Sequence, residues 1–140
     1  KMKQEFYSLK IKTNGQKLYE FTDKSINWIV NSKLKNGILN LSIQHTSASL
    51  IVQENADPDV KSDLINFFDK LAPMNKDLYV HKTEGKDDMP AHIKSALTNN
   101  QISLSIKNGK LLMGIWQGLY LFEHRIKSQE RFIIHHFLGE

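Results

Sequence analysis

Six histidines are the residues of this 140-residue chain most able to do chemistry: His45, His81, His92, His124 and the adjacent pair His135 and His136. Imidazole changes charge near neutral pH and is the commonest metal ligand. Three or four neutral imidazoles converging from separate elements are how catalytic zinc is usually held, with one position open to water or substrate. The chain has no cysteine, so histidine and carboxylate are its only strong ligands. Disulfides, thiolate zinc sites, iron–sulfur clusters and a cysteine nucleophile are excluded. No HExxH or similar local motif joins the histidines, and spacing alone therefore defines no site. For any single histidine, a hydrogen-bonded structural role is the plainer reading.

The densest chemistry lies in Tyr79–His92, YVHKTEGKDDMPAH, which holds two of the histidines with Glu84, Asp87 and Asp88 among Lys82 and Lys86. The stretch lacks apolar periodicity, so it reads as a loop. Titratable groups gathered on a loop between packed elements suit a site, and the alternative is a solvated connector. Glu84 and Asp88 are candidates for acid/base work. Asp88 also has a plain structural explanation as the N-cap of the helix that follows. Glu123 is placed to orient an imidazole from behind. Ser47 and Ser49 lie in no GxSxG elbow, which discounts them as nucleophiles. The absence of GxGxxG and GxxxxGK[ST] leaves dinucleotide and P-loop functions without support.

The elements that must position these groups alternate between two periods. Glu5–Lys12 alternates, with Tyr7, Leu9 and Ile11 on one side, and predicts a half-buried strand ended by Thr13-Asn14-Gly15; residues 16–21 extend a second strand. Thr22 or Asp23 caps a predicted helix with Ile26, Ile29, Val30 and Leu34 as its apolar set, stopped by Asn36-Gly37. A strand over 37–44 runs into His45-Thr46-Ser47-Ala48-Ser49, and LIVQE is β-like again. Asp57 before Pro58 is a strong helix start, and Val60, Leu64, Phe67, Phe68 and Leu71 form a stripe wide enough to cover a sheet. A short helix is predicted from Pro90 to Leu97. QISLSI, Asn108-Gly109 and KLLMGIW read as a hairpin around a two-residue turn, with strands LYLFEHR and RFIIHHF after it. On the last of these, His135 and His136 face opposite ways. The expected architecture is one α+β domain over residues 1–140: a mostly antiparallel, β-sandwich-like core with two long helices and one short helix.

Composition narrows the partners. The apolar fraction of 40% and charged fraction of 24% are globular values. No apolar run is long enough for a membrane helix and the first residues lack a signal-peptide core, so no membrane partner is expected, and the absence of cysteine fits a cytoplasmic protein. A net charge of +4 favours anionic partners such as phosphorylated metabolites. The lysines are scattered and only Arg125 and Arg131 are arginines, so dedicated nucleic-acid binding is not expected.

The combination QHTSASL (Gln44–Leu50), ENADPDV (Glu54–Val60), HKTEGKDDMPAHIKSAL (His81–Leu97), WQGLYLFEHR (Trp116–Arg125) and the terminal Gly139-Glu140 resembles the YjbQ-like family, from Ile38 onward. The resemblance implies a compact α+β fold assembled as a homotrimer, with pockets near subunit boundaries. It also implies a low, secondary thiamine-phosphate synthase activity, which joins a pyrimidine pyrophosphate to a thiazole phosphate. It suggests a divalent metal, zinc, held by His81, His92 and His124, with His45 a fourth ligand or a substrate contact. Ser47, Ser49 and Arg125 would then hold an anion. The family's Gly-Thr-Trp-Gln is here Gly114-Ile115-Trp116-Gln117, a conservative packing change. Two functions remain open: a metal-dependent enzyme on small phosphorylated substrates, or a non-enzymatic metal- or ligand-binding trimer acting as sensor or carrier.

Overall fold

The computed structural model describes residues 1–140 as two antiparallel sheets and three helices. Strands β1 (Lys3–Thr13), β8 (Gln129–Gly139), β3 (Gly37–Ile43), β5 (Gln101–Lys107) and β6 (Lys110–Leu111) form a five-stranded sheet in that order. Strands β2 (Lys17–Glu20), β7 (Gln117–Glu123) and β4 (Ala48–Glu54) form a three-stranded sheet with β7 at its centre. Helix α1 spans Thr22–Asn31, α2 Pro58–Leu71 and α3 Asp88–Leu97. No helix is long and apolar enough to cross a membrane.

Alternation decides the layers. Leu9 and Ile11 of β1, Leu39, Leu41 and Ile43 of β3, and Ile133 and Phe137 of β8 face inward and meet Leu50, Leu119 and Leu121 of the smaller sheet in one core. Burying each such side chain contributes about 1.5–3 kcal/mol, which makes this face the main source of stability. The other face of the smaller sheet carries Leu18, Tyr120 and Phe122 against Leu64, Ile65 and Phe68. Strand β7 is therefore covered on both sides, and its residues from Gly118 to Glu123 are all buried.

Several local expectations hold. Asp57 caps α2, its side chain accepting from Asp59 N at 2.9 Å, with Pro58 in the first turn. Asn108 and Gly109 take the positive φ values of 53° and 76° that a primed hairpin turn requires. Others are redirected by packing. Helix α1 starts after Phe21 without a side-chain cap, because the Thr22 hydroxyl accepts from Leu119 N instead. Within α1 the buried residues are Ser25 and Ile29, while Ile26 and Val30 stay exposed, since Ser25 is taken up by His135 on β8. Phe67 and Leu71 likewise remain exposed, so only part of the α2 stripe covers the small sheet. The strand expected over residues 110–116 keeps only Lys110–Leu111, after which the chain crosses to the other sheet.

Gly37 and Gly139 face each other where β3 and β8 pair. A Cβ on Gly37 would collide with Leu138 O and lie 2.8 Å from Gly139 Cα. Gly37→Ala is therefore expected to destabilise by about 1–3 kcal/mol through overpacking, read as a lower urea midpoint.

Candidate functional site

The smaller sheet delivers its functional residues at one end. Ala48 opens β4 opposite Glu123, which closes β7. Helix α3 packs across this end, with Ser95 Oγ donating to Ala48 O at 3.2 Å. The predicted helix start moves two residues earlier, so Asp88 occupies the first helical position and Asp87 precedes it. Neither carboxylate caps the helix in the usual way. Asp88 is freed for other partners, and His92 follows it by four residues on the same face.

The donor atoms of His81, Asp88 and His92 all lie within 4.8 Å of one another. His81 Nε2 is 2.7 Å from Asp88 Oδ2, and His92 Nε2 is 3.2 Å from the same oxygen. The other ring nitrogen of His92, Nδ1, is 3.0 Å from the carbonyl of Thr46. A carbonyl only accepts, so Nδ1 carries a proton, and whenever the ring is neutral its Nε2 lone pair faces a carboxylate oxygen. That pairing is repulsive unless a second proton or a cation lies between them. An imidazole pinned through Nδ1–H to a backbone carbonyl, with Nε2 free to bind, is the usual arrangement around a metal. Two imidazole nitrogens and one carboxylate oxygen are also a donor set of the kind that a small divalent ion takes.

The other oxygen of Asp88 is occupied. Arg125 Nη1 donates to Asp88 Oδ1, its Nε to Asp87 Oδ2 at 3.0 Å, and its Nη2 to the Glu84 carbonyl at 3.0 Å. Ile126 N also donates to Asp87 Oδ2, at 2.8 Å. Burial pushes the Asp88 carboxyl up, but the His81 hydrogen bond and the charges of Arg125 and His92 outweigh it, and its pKa falls below the ordinary value. Asp87 behaves alike: burial is overcome by the Ile126 N–H and by Arg125.

The structure redraws the ligand set. His124, expected beside His81 and His92, is 1% exposed and turned inward, with Nε2 2.9 Å from Ser49 Oγ and its ring tilted against Phe122. Strand alternation places it on the same face as Phe122 and Tyr120, which are covered by the helical layer. Burial first, then the charges of Lys94 and Arg131, lower its pKa to about 3, and its Nδ1 is buried without a partner. Ser49 and Ser47 are both committed: Ser49 to His124, and Ser47 to Arg131, whose Nη2 donates to Ser47 Oγ at 2.9 Å. Arg125 spends three of its five N–H groups on Asp87, Asp88 and the Glu84 carbonyl, so its guanidinium is directed at groups of the fold. Glu84 gives the site only its carbonyl, and its side chain is exposed. Glu123 orients no imidazole; it accepts from Arg131, from Thr13 and from the backbone N–H groups of His124 and Arg125.

His45 is half-buried, and its Nε2 accepts from Phe132 N at 3.0 Å. Burial and the Arg131 charge hold its pKa below the ordinary value against an opposing pull from Glu123. With His92, Thr46, Ala48, Ser95, Ala96 and Asn100 it lines a cavity of about 240 Å³ beside the cluster. Asp87 and the Thr46 carbonyl were missed as site groups. The tandem Asp87-Asp88 and the Asp88-x-x-x-His92 spacing were legible signals for part of this; nothing in the sequence marks a carbonyl.

The chain belongs to the UPF0047 protein YjbQ-like family, whose profile matches residues 7–140. It is 48% identical to a UPF0047 protein of Synechocystis sp. over 94% of this chain and 90% of that one. It is 41% identical to the YjbQ protein of Escherichia coli O157:H7 over 98% of both. Among solved structures, an uncharacterized YjbQ/UPF0047 protein of Clostridium acetobutylicum superposes with a TM-score of 0.78 at 34% identity, covering 92% of this chain and 97% of that one. A YbjQ-like protein of unknown function from Sulfolobus solfataricus shares the fold with a TM-score of 0.92 at 23% identity over the whole of both chains.

The buried imidazoles predict how the fold responds to acid. His135, hydrogen-bonded to Ser25 at 2.7 Å, has its pKa lowered to about 4 by burial, partly offset by Ile133 O. Folded pKa values below the ordinary 6.5 mean that the unfolded chain takes up protons first. The stabilisation is complete above about pH 6.5 and is lost as pH falls toward 4 and then 3. Urea unfolding between pH 7 and pH 4 should show stability declining with acid, with a shallower slope in His135→Gln.

Proposed function

We propose that the chain binds a divalent metal, zinc, through His81, Asp88 and His92, and uses it on a small phosphorylated substrate. The observation that carries this reading is the His92 ring, whose Nδ1 is fixed on the Thr46 carbonyl while its Nε2 faces Asp88 Oδ2 at 3.2 Å. Three protein ligands leave a position open, which is the pattern of catalytic rather than structural zinc. A bound ion would act there as a Lewis acid on a phosphoryl oxygen.

The chain's own residues supply orientation. Thr46 fixes the tautomer of His92, and Arg125 fixes the carboxylate of Asp88. His45, with Nε2 engaged by Phe132 N, keeps its proton on Nδ1 when neutral and serves as a donor in the cavity wall. The phosphorylated class draws support from the net charge of +4 and from the exposed Lys82 and Lys86 flanking the loop. Displacement of pyrophosphate, as in thiamine-phosphate synthesis, needs strong stabilisation of the leaving group. Arg125, Ser47 and Ser49 are already engaged within the fold, which favours a weak secondary activity over a dedicated one. A homotrimer, which rests on the family resemblance, and a cytoplasmic location, which rests on the absence of cysteine, complete the proposal.

A second reading, a metal- or ligand-binding trimer without turnover, is favoured by one observation. Glu84 is exposed and Asp88 is held by Arg125, so neither stands ready as a general base.

His81→Ala, Asp88→Asn and His92→Ala should each weaken zinc binding at least tenfold, about 1.4 kcal/mol, in calorimetric titration of untagged protein. His124→Ala should leave the affinity within twofold. Unchanged metal content in the first three variants would overturn the site. Metal binding without turnover across a panel of phosphorylated metabolites would favour the second reading. A stable monomer in sedimentation at micromolar concentration would refute the trimer.

A further inference from the structure

Asp88 divides its carboxylate between two masters: Oδ2 faces both imidazoles, while Oδ1 is held by Arg125. The same guanidinium draws the neighbouring Asp87 away through Nε, and it is itself anchored on the Glu84 carbonyl. All three side chains are largely buried, with relative exposures of 19% for Arg125, 10% for Asp87 and 8% for Asp88. A guanidinium is planar, permanently charged and rigid in its fork, so it holds both carboxylates in fixed orientations.

This has a consequence for ion choice. Calcium takes six to eight oxygen ligands and uses carboxylates freely, often through both oxygens; manganese also suits carboxylate and water. Here two acidic residues stand side by side next to the candidate site, yet only one oxygen is offered. The charge of the offered set is also reduced, since two carboxylates share one guanidinium. What remains is two imidazole nitrogens and a single oxygen, a donor set suited to zinc and its neighbours.

We propose that Arg125 is a positioning residue that sets which ion the site accepts: by occupying one oxygen of Asp88 and holding one of Asp87, it selects zinc over manganese and calcium. This inference rests on the metal-site reading above and deepens it.

The test is competitive titration of the untagged full chain with zinc, manganese and calcium, compared with Arg125→Gln. In the wild type, zinc should be strongly preferred. In the variant, the freed Oδ1 of Asp88 and the loosened Asp87 should narrow the zinc-to-manganese affinity ratio at least tenfold, within the range that outer-shell changes at metal sites produce. The visible spectrum of the cobalt(II)-loaded protein supplies an independent readout: strong four-coordinate absorption in the wild type should weaken in Arg125→Gln as further oxygens bind. If Arg125→Gln does not fold by circular dichroism, the ratio is read on Arg125→Lys, which keeps the charge but loses the fork and should narrow the ratio less. An unchanged ratio and unchanged cobalt spectrum in a folded variant would overturn the proposal and leave Arg125 structural. A wild type that binds no zinc would instead overturn the metal site itself, so the two failures are distinguishable.

Discussion

The candidate site hangs on a buried carboxylate. Glu123, with no exposed surface, ends β7 and accepts from Arg131 Nε at 2.8 Å and Nη2 at 2.6 Å, and from Thr13 Oγ1 at 2.7 Å. Its Oε2 also accepts the backbone N–H groups of His124 and Arg125, each at 3.1 Å. A buried ion pair is weak evidence of net stability, but removing one partner strands a charge at a cost of about 3–5 kcal/mol. The network is therefore held or lost as a unit. It ties β1, β7 and β8 together and fixes the direction in which the chain leaves the small sheet.

That direction matters because the next residue but one is Arg125. From the end of β7 its guanidinium reaches the start of α3, where Asp87 and Asp88 wait, and the Glu84 carbonyl behind them. A loop with little apolar content of its own is thus docked by charge-assisted hydrogen bonds rather than by burial of hydrophobic surface. His92 on α3 closes the arrangement from the other side through Thr46. Three segments distant in sequence, residues 45–49, 81–92 and 123–125, meet at one end of the β4–β7 pair.

Much of the fold was legible in local pattern. The period-two alternation of β1 and β8, the Asn108-Gly109 turn and the Asp57-Pro58 helix start each depend on neighbours a few residues away, where backbone sterics and capping act directly. The misreadings share one cause, which is competition from a distant partner. Thr22 was drawn to Leu119 N instead of capping α1, and Ser25 was buried in place of Ile26 because His135 needs a hydroxyl. The strand after Gly109 stopped at Leu111 because its continuation belongs to the other sheet.

The same division runs through the site. From sequence alone came the absence of thiolate chemistry, the family resemblance, and a titratable loop whose His81, Asp88 and His92 lie together in the structure. Tertiary structure alone decided that His124 turns away toward Ser49, that Asp88 rather than a third imidazole stands with the pair, and that Arg125 reaches the carboxylates of Asp87 and Asp88. The reason is geometric. The face on which a strand-end side chain emerges follows from its position in the strand, but what covers that face, and which partner a buried charge finds, depends on how distant segments dock.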